Sequence, residues 1–202
     1  VANEALCRCG WKPILPKEDY RFLVGNGADC LMRRMLSHTA GAYTEEDVLR
    51  LRSVYDDLYG ADPMREVKEY PGLFIVLRTL KQQGIRLAVL SNKPDRDACA
   101  VVSHLFPENF FACCYGQREE IPRKPAPDGA LLIAKELGIA PQNCLYIGDS
   151  GVDMETGRAA GMRTVGVLWG FRDKEELMEH GANALAKAPE DLLLLAGMEK
   201  PQ

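Results

Sequence analysis

Leu145, Tyr146 and Ile147 form a short apolar run that Gly148 breaks, the pattern of a buried strand reaching the end of its sheet. Asp149 follows, where side chains at a strand's carboxyl end face the ligand crevice of an open α/β sheet. Asp153 comes four residues later, and Val152, Met154, Ala159, Ala160 and Met162 begin a helical apolar pattern. Two carboxylates therefore meet at a strand-to-helix junction. Crowded carboxylates repel one another unless a proton or cation intervenes, and hard oxygens of this kind suit Mg²⁺. A simpler reading also fits, with Asp153 capping the helix and Asp149 satisfying a turn.

A strand-to-helix junction of this type belongs to a chain in which strands and helices alternate, and residues 67–202 have that character. An apolar helix through Leu73, Val76, Leu77 and Leu80 ends at Gly84 and leads to a strand over 86–90. A helix over 94–106, a strand over 110–114, a helix over 127–137, the strand over 145–147, a strand over 164–169 and a helix over 174–179 follow. Leu192 to Leu195 fits a buried C-terminal helix. This order predicts βαβ units in a Rossmann-like parallel sheet with helices on both faces. Residues 1–66 read differently, as a small all-helical domain that opens inside a helix carrying Ala5 and Leu6. Thr44 to Asp47 forms a capping box, and Val48, Leu51, Val54, Tyr55 and Leu58 line the helix it opens. Gly25-Asn26-Gly27 could be a nucleotide-binding turn or a turn between two helices; the third glycine of the nucleotide pattern is absent, because position 30 is Cys.

Charge and composition narrow the partners. Lys and Arg number 25 against 29 Asp and Glu, a net charge of −4 without a basic block, which argues against nucleic acid or an anionic membrane. No apolar run approaches the roughly 18 residues of a membrane span, and no signal peptide opens the sequence, so a cytoplasmic location is expected. The seven cysteines include no C-x-x-C pair and read as reduced, mostly buried thiols. The histidines are scattered, and Trp11 and Trp169 suit packing. Nothing in the sequence distinguishes a monomer from a homodimer.

Two further loops could bind an anion. Ser91-Asn92-Lys93-Pro94 follows the apolar run Leu87 to Leu90 and offers a hydroxyl, an amide and main-chain N–H groups ahead of a helix; an ordinary helix cap with Pro94 in the first turn fits the same residues. Arg123-Lys124-Pro125-Ala126-Pro127-Asp128 holds a lysine between prolines, a positioned point charge suited to phosphate, although a solvated lysine is the commoner case.

Taken in order, strand-Ser91-Asn92, Lys124-Pro125 and Gly148-Asp149-Ser150-x-x-Asp153 resemble the second, third and fourth motifs of the haloacid dehalogenase superfamily. Together with Val24-Gly25-Asn26-Gly27-Ala28, these stretches are similar to its phosphoglycolate phosphatase group. The resemblance implies a Mg²⁺-dependent phosphatase of a small phosphorylated metabolite. It also implies that Ser91 and Asn92 bind the phosphoryl oxygens, that Lys124 offsets charge on nucleophile and phosphate, and that Asp149 and Asp153 serve the metal. Residues 1–66 would be the cap over an α/β core of residues 67–202. One motif is missing: no Asp-x-Asp-Gly-Thr occurs, so no residue here corresponds to the aspartate that attacks phosphorus. Asp95-Arg96-Asp97 opens a helix and lacks Gly-Thr, and it is rejected as a substitute. A missing central strand would leave its two neighbours with unpaired edges. The alternatives are a non-catalytic protein that binds phosphorylated ligands or a partner, and a sugar-phosphate phosphatase or mutase; a dehalogenase needs neither Mg²⁺ nor phosphate-type donors.

Overall fold

A computed structural model describes residues 1–14, 16, 19–24 and 27–198. They fall into two compact units that divide between Glu66 and Val67.

Among the described residues the first unit contains helices and no strand: α1 (Ala2–Arg8), α2 (Tyr20–Leu23), α3 (Ala28–Thr39) and α4 (Glu45–Ala61). Its core is built from Leu6, Ile14, Met32, Met35, Leu36 and Leu51, all at most 1% exposed. The capping box is present, with the Thr44 hydroxyl accepting from Asp47 N and Asp47 accepting from Thr44 N. Trp11 packs on this core under the guanidinium of Arg50, 4.8 Å from its ring. The segment 24–28 joins α2 to α3, so a helix rather than a strand precedes it, against the nucleotide-binding pattern; Gly25 and Asn26 themselves lie outside the described residues.

The second unit alternates as its periodicity predicts. Its elements are α5 (Leu73–Gln82), β1 (Ala88–Pro94), α6 (Asp95–Leu105), β2 (Cys113–Gln117), α7 (Asp128–Glu136), β3 (Leu145–Gly148), α8 (Gly151–Ala159), β4 (Arg163–Val167), α9 (Lys174–Glu179), β5 (Ala184–Ala186) and α10 (Asp191–Leu195). Every strand pairing is parallel. The strands form two pieces, however: a two-stranded sheet β1-β2 and a three-stranded sheet β3-β4-β5. Leu90 of β1 and Tyr146 of β3 pack on one apolar cluster with Ala130 and Ala134 of α7, yet no ladder joins the two strands.

Three expectations need correction. β1 runs to Pro94 rather than stopping at Leu90, because its polar end Ser91 to Lys93 stays extended and pairs again at Pro94 with Gln117 after a register shift. The second strand begins at Cys113, not Phe110. Phe110 instead stacks on Phe74 and Phe106, with ring centroids 5.4 and 5.3 Å away, and aromatic packing outweighs ladder pairing there. The seven cysteines are unpaired and not mostly buried, since Cys7 is exposed and the other six are half-buried; several lie on β2 or at helix ends, where packing is one-sided. The strand β5 was not expected, its three residues Ala184–Ala186 being too short and too small to stand out.

Candidate active site

The carboxyl ends of β1 and β3 carry the residues singled out above. β3 packs Leu145 and Tyr146 on apolar clusters while Ile147 stays exposed, and at Gly148, its last residue, a side chain could not fit: a Cβ there would lie 2.2 Å from the Cβ of Asp153. The chain then turns into α8, with Ser150 as cap. The Ser150 hydroxyl donates to Asp153 Oδ2 at 2.6 Å, and Asp153 N points back to Ser150 Oγ at 3.4 Å. Ser150 rather than Asp153 is therefore the N-cap, and Asp153 holds that cap through Oδ2. It does more, because its other oxygen, Oδ1, accepts from Lys124 Nζ at 2.7 Å.

Lys124 stands in the turn between β2 and α7. Its side chain is 14% exposed and that of Asp153 9%, so this is a buried ion pair. The ammonium also donates to the carbonyl of Leu90 at 3.3 Å. Burial by itself pushes the Lys124 pKa down, but the neighbouring Tyr146 and Asp153 more than offset this, and the net direction is up. Asn92 meets the same residue from β1: its Oδ1 accepts from Lys124 N at 3.0 Å and its Nδ2 donates to Lys124 O at 3.1 Å. Ser91 Oγ accepts from Lys93 N at 3.1 Å. Ser91, Asn92, Arg123 and Lys124 share the walls of one recess of about 10 Å³, about the room one water needs.

Asp149 takes a different position. Its Oδ2 accepts from Phe171 N at 3.1 Å, and its own N–H donates to Asp153 Oδ2 at 3.2 Å. Burial raises its pKa first, and the charge of Asp153 adds to the rise. Asp153 has both oxygens engaged by Lys124, Ser150 and Asp149, whereas Asp149 has one main-chain donor besides its own N–H. Of the expected metal pair, Asp149 is thus the carboxylate with capacity to spare, and Asp153 is committed to the lysine. Among the described residues no cluster of three or more His, Cys, Asp or Glu stands at metal-binding distance. Asp149 nevertheless fits Mg²⁺, which keeps most of its waters and needs only one or two protein carboxylates beside a phosphate.

The structure brings Lys124, Asn92 and Asp153 into direct contact, ties Asp149 to Asp153 and places Ser91 in the recess with Lys124. Sequence reasoning missed four neighbours. Tyr146 reads in the sequence only as a strand residue, yet burial pushes the pKa of its phenol up to about 12, beside Lys124 and Thr156. Tyr70, whose pKa rises through burial and then the Asp149 charge, lies near the acidic end of the site. Gly170 and Phe171 hold Asp149 from the loop after β4. The signal for that loop was its place at the carboxyl end of the strand paired with β3.

Other residues have structural roles. Asp95 Oδ1 accepts from Gly116 N and Arg118 Nε, both at 2.9 Å, which ties α6 to the end of β2 and fits the rejection of Asp95-x-Asp97 as a reactive pair. His180 lies 2.7 Å from Glu155, a partner that sequence spacing did not reveal.

The model of the family described as "Hydrolase: haloacid dehalogenase-like hydrolase" matches residues 2–161. The chain belongs to that family. It is 32% identical over 180 residues to the phosphoglycolate phosphatase of Pseudomonas putida KT2440, covering 88% of this chain and 63% of that protein, less than two thirds of its length. It is 30% identical over 203 residues to the phosphoglycolate phosphatase of Escherichia coli K12, covering 92% and 81%. Among solved structures, a provisionally assigned phosphoglycolate phosphatase of Lactobacillus delbrueckii subsp. bulgaricus superposes with a TM-score of 0.90 at 30% identity, covering 96% of this chain and 89% of the other. A hydrolase of the same family from Streptococcus pneumoniae shares the fold, at TM-score 0.82 and 20% identity over 96% and 88% of the two chains. No helix among the described residues is long and apolar enough to cross a membrane.

In this family member Gly170 offers a sharp check on the placing of Asp149. A Cβ at Gly170 would lie 2.1 Å from Asp149 Cβ, near the main chain, where no rotamer change relieves it. Gly170→Ala is expected to cost about 1–3 kcal/mol of stability by overpacking. Urea denaturation measures this, and an unchanged midpoint would mean that Asp149 does not pack against Gly170.

Proposed function

We propose that this chain carries the greater part of a Mg²⁺-dependent phosphatase acting on small phosphate monoesters, of the phosphoglycolate phosphatase kind. The observation that carries the reading is the Lys124 ammonium, buried at the carboxyl ends of parallel strands and held between Asp153 and the Leu90 carbonyl. A fixed cation at that position suits the charge that builds on a phosphoryl group in transfer. Ser91 keeps its hydroxyl hydrogen for a phosphoryl oxygen while its Oγ accepts from Lys93 N. Asp149 would hold Mg²⁺, which when bound offsets charge on the phosphate. The role of the helical unit would be that of a cap that excludes water, and the setting the cytoplasm.

The attacking group is the missing part. We infer that it is an aspartate that forms a phosphoaspartyl intermediate, supplied by a parallel strand outside these 202 residues. The support is that β1 pairs only with β2 and β3 only with β4 among the described residues, so each has an edge ready for another strand. Residues 1–202 alone are expected to show no turnover of a synthetic phosphate ester with ample Mg²⁺, while a chain preceded by an Asp-x-Asp-Gly-Thr strand turns it over. Activity of residues 1–202 that survives repurification and disappears in Lys124→Ala would overturn the missing-nucleophile reading.

A second reading, a non-catalytic protein that binds phosphorylated ligands, is favoured by that same lack of an attacking carboxylate. It predicts phosphate binding by both chains and turnover by neither.

A further inference from the structure

We propose that Asn92 is a positioning residue, whose side-chain amide grips the main chain of Lys124 and so fixes where the Lys124 ammonium stands, instead of using that amide on the substrate. This rests on the reading of Lys124 as the cation that meets the phosphate. A carboxamide has an accepting end and a donating end, and here the N–H and C=O of one residue, 32 positions away, engage both ends at 3.0 and 3.1 Å. Two parallel hydrogen bonds set orientation as well as distance. Lys124 needs such a grip, because it lies in a turn outside any helix or strand and has no ladder to hold its main chain. The near end of the same loop is held in a similar way, with Gln117 Nε2 donating to the carbonyls of Arg118 and Ile121 at 2.7 and 3.0 Å.

The lysine stem is long and has many rotamers. With the main chain fixed at one end, and Asp153 Oδ1 and the Leu90 carbonyl receiving the ammonium at the other, the stem is pinned at both ends. Loss of the Asn92 amide frees one of them. The ammonium could then follow Asp153 while the loop drifts, or follow the loop and leave Asp153. Ser91, the neighbour of Asn92, has no comparable duty on the Lys124 loop.

The experiment uses the 202-residue chain with inorganic phosphate as probe. Amide hydrogen exchange at Lys124 is measured by NMR in the parent, Asn92→Ala, Lys124→Ala and the double variant, and phosphate affinity in the same four proteins. Asn92→Ala is expected to speed exchange at the Lys124 amide by about tenfold or more, as loss of a hydrogen bond worth roughly 1.4 kcal/mol would. Lys124→Ala, which keeps its main chain, leaves that amide protected. Asn92→Ala weakens phosphate binding in the parent but has no effect in the Lys124→Ala background, since it acts through the ammonium. Equal losses in both backgrounds would mean that Asn92 touches the phosphate itself, and unchanged exchange at Lys124 would mean that the grip does not exist; either overturns the proposal. Should Asn92→Ala fail to fold, Asn92→Asp replaces it in the exchange experiment: it keeps the acceptor, so Lys124 N–H stays protected, and lost protection there overturns the proposal. If the parent binds no phosphate, or Lys124→Ala binds it normally, the phosphatase reading fails, and the exchange rates alone decide for or against the grip.

Discussion

Lys124→Ala is expected to remove activity and stability together. Its ammonium neutralises Asp153, whose side chain is 9% exposed, and removing one member of a buried pair leaves the other charge stranded at a cost of about 3–5 kcal/mol. In a chain completed with an attacking carboxylate, turnover falls by about 10²–10³, the usual loss when a fixed donor to a developing negative charge is removed. Ser91→Ala costs less, about tenfold, because a neutral hydroxyl contributes one ordinary hydrogen bond of about 1 kcal/mol. The sign of the pH effect follows from the raised pKa of Lys124. The contribution of the pair is fully present below the ordinary lysine value of 10.5 and disappears only as pH rises through the higher folded-state value. Urea titration at pH 7 and at strongly alkaline pH checks this. Equal stability of parent and variant at pH 7, with equal and small losses of turnover in the two variants, would make Lys124 a solvated loop residue.

Asp149→Asn is expected to act in opposite directions on stability and activity. Burial holds the Asp149 pKa above its ordinary 3.8, so the folded state binds a proton more tightly than the unfolded chain. Stability then falls as pH rises from 3.8 through the raised folded value, and above it the full cost of a buried carboxylate remains. An uncharged asparagine avoids that cost, so the metal-free variant melts higher than the parent at neutral pH. Mg²⁺ offsets the same cost in the parent by binding the charged form, so added Mg²⁺ raises the melting temperature of the parent and not of Asp149→Asn. Turnover in the completed chain drops strongly in the variant, since one carboxylate supplies both charge and direct ligation. Equal Mg²⁺-induced shifts in the two proteins would remove Asp149 from the metal site.

The chain itself determined the α/β architecture of residues 67–202. Alternating apolar runs and helical periods can bury their surfaces only by layering, and parallel strands place their carboxyl ends, with Ser91, Asn92 and Asp149, on one side. It also determined that Lys124 is restrained, through Pro125 and Pro127, and that Asp153 begins a helix. Tertiary structure alone decided what those residues do to one another. That Asp153 spends itself on Lys124, that Asn92 turns to a main chain 32 residues away and that Asp149 leans on Phe171 are long-range pairings, which no local pattern encodes. The end of β1 was hidden for a related reason. Strand periodicity is visible only where one face is apolar, and Ser91 to Lys93 stay extended across a register irregularity between the pairings of Leu90 and Pro94 with β2, a partner that exists only once the chain has folded.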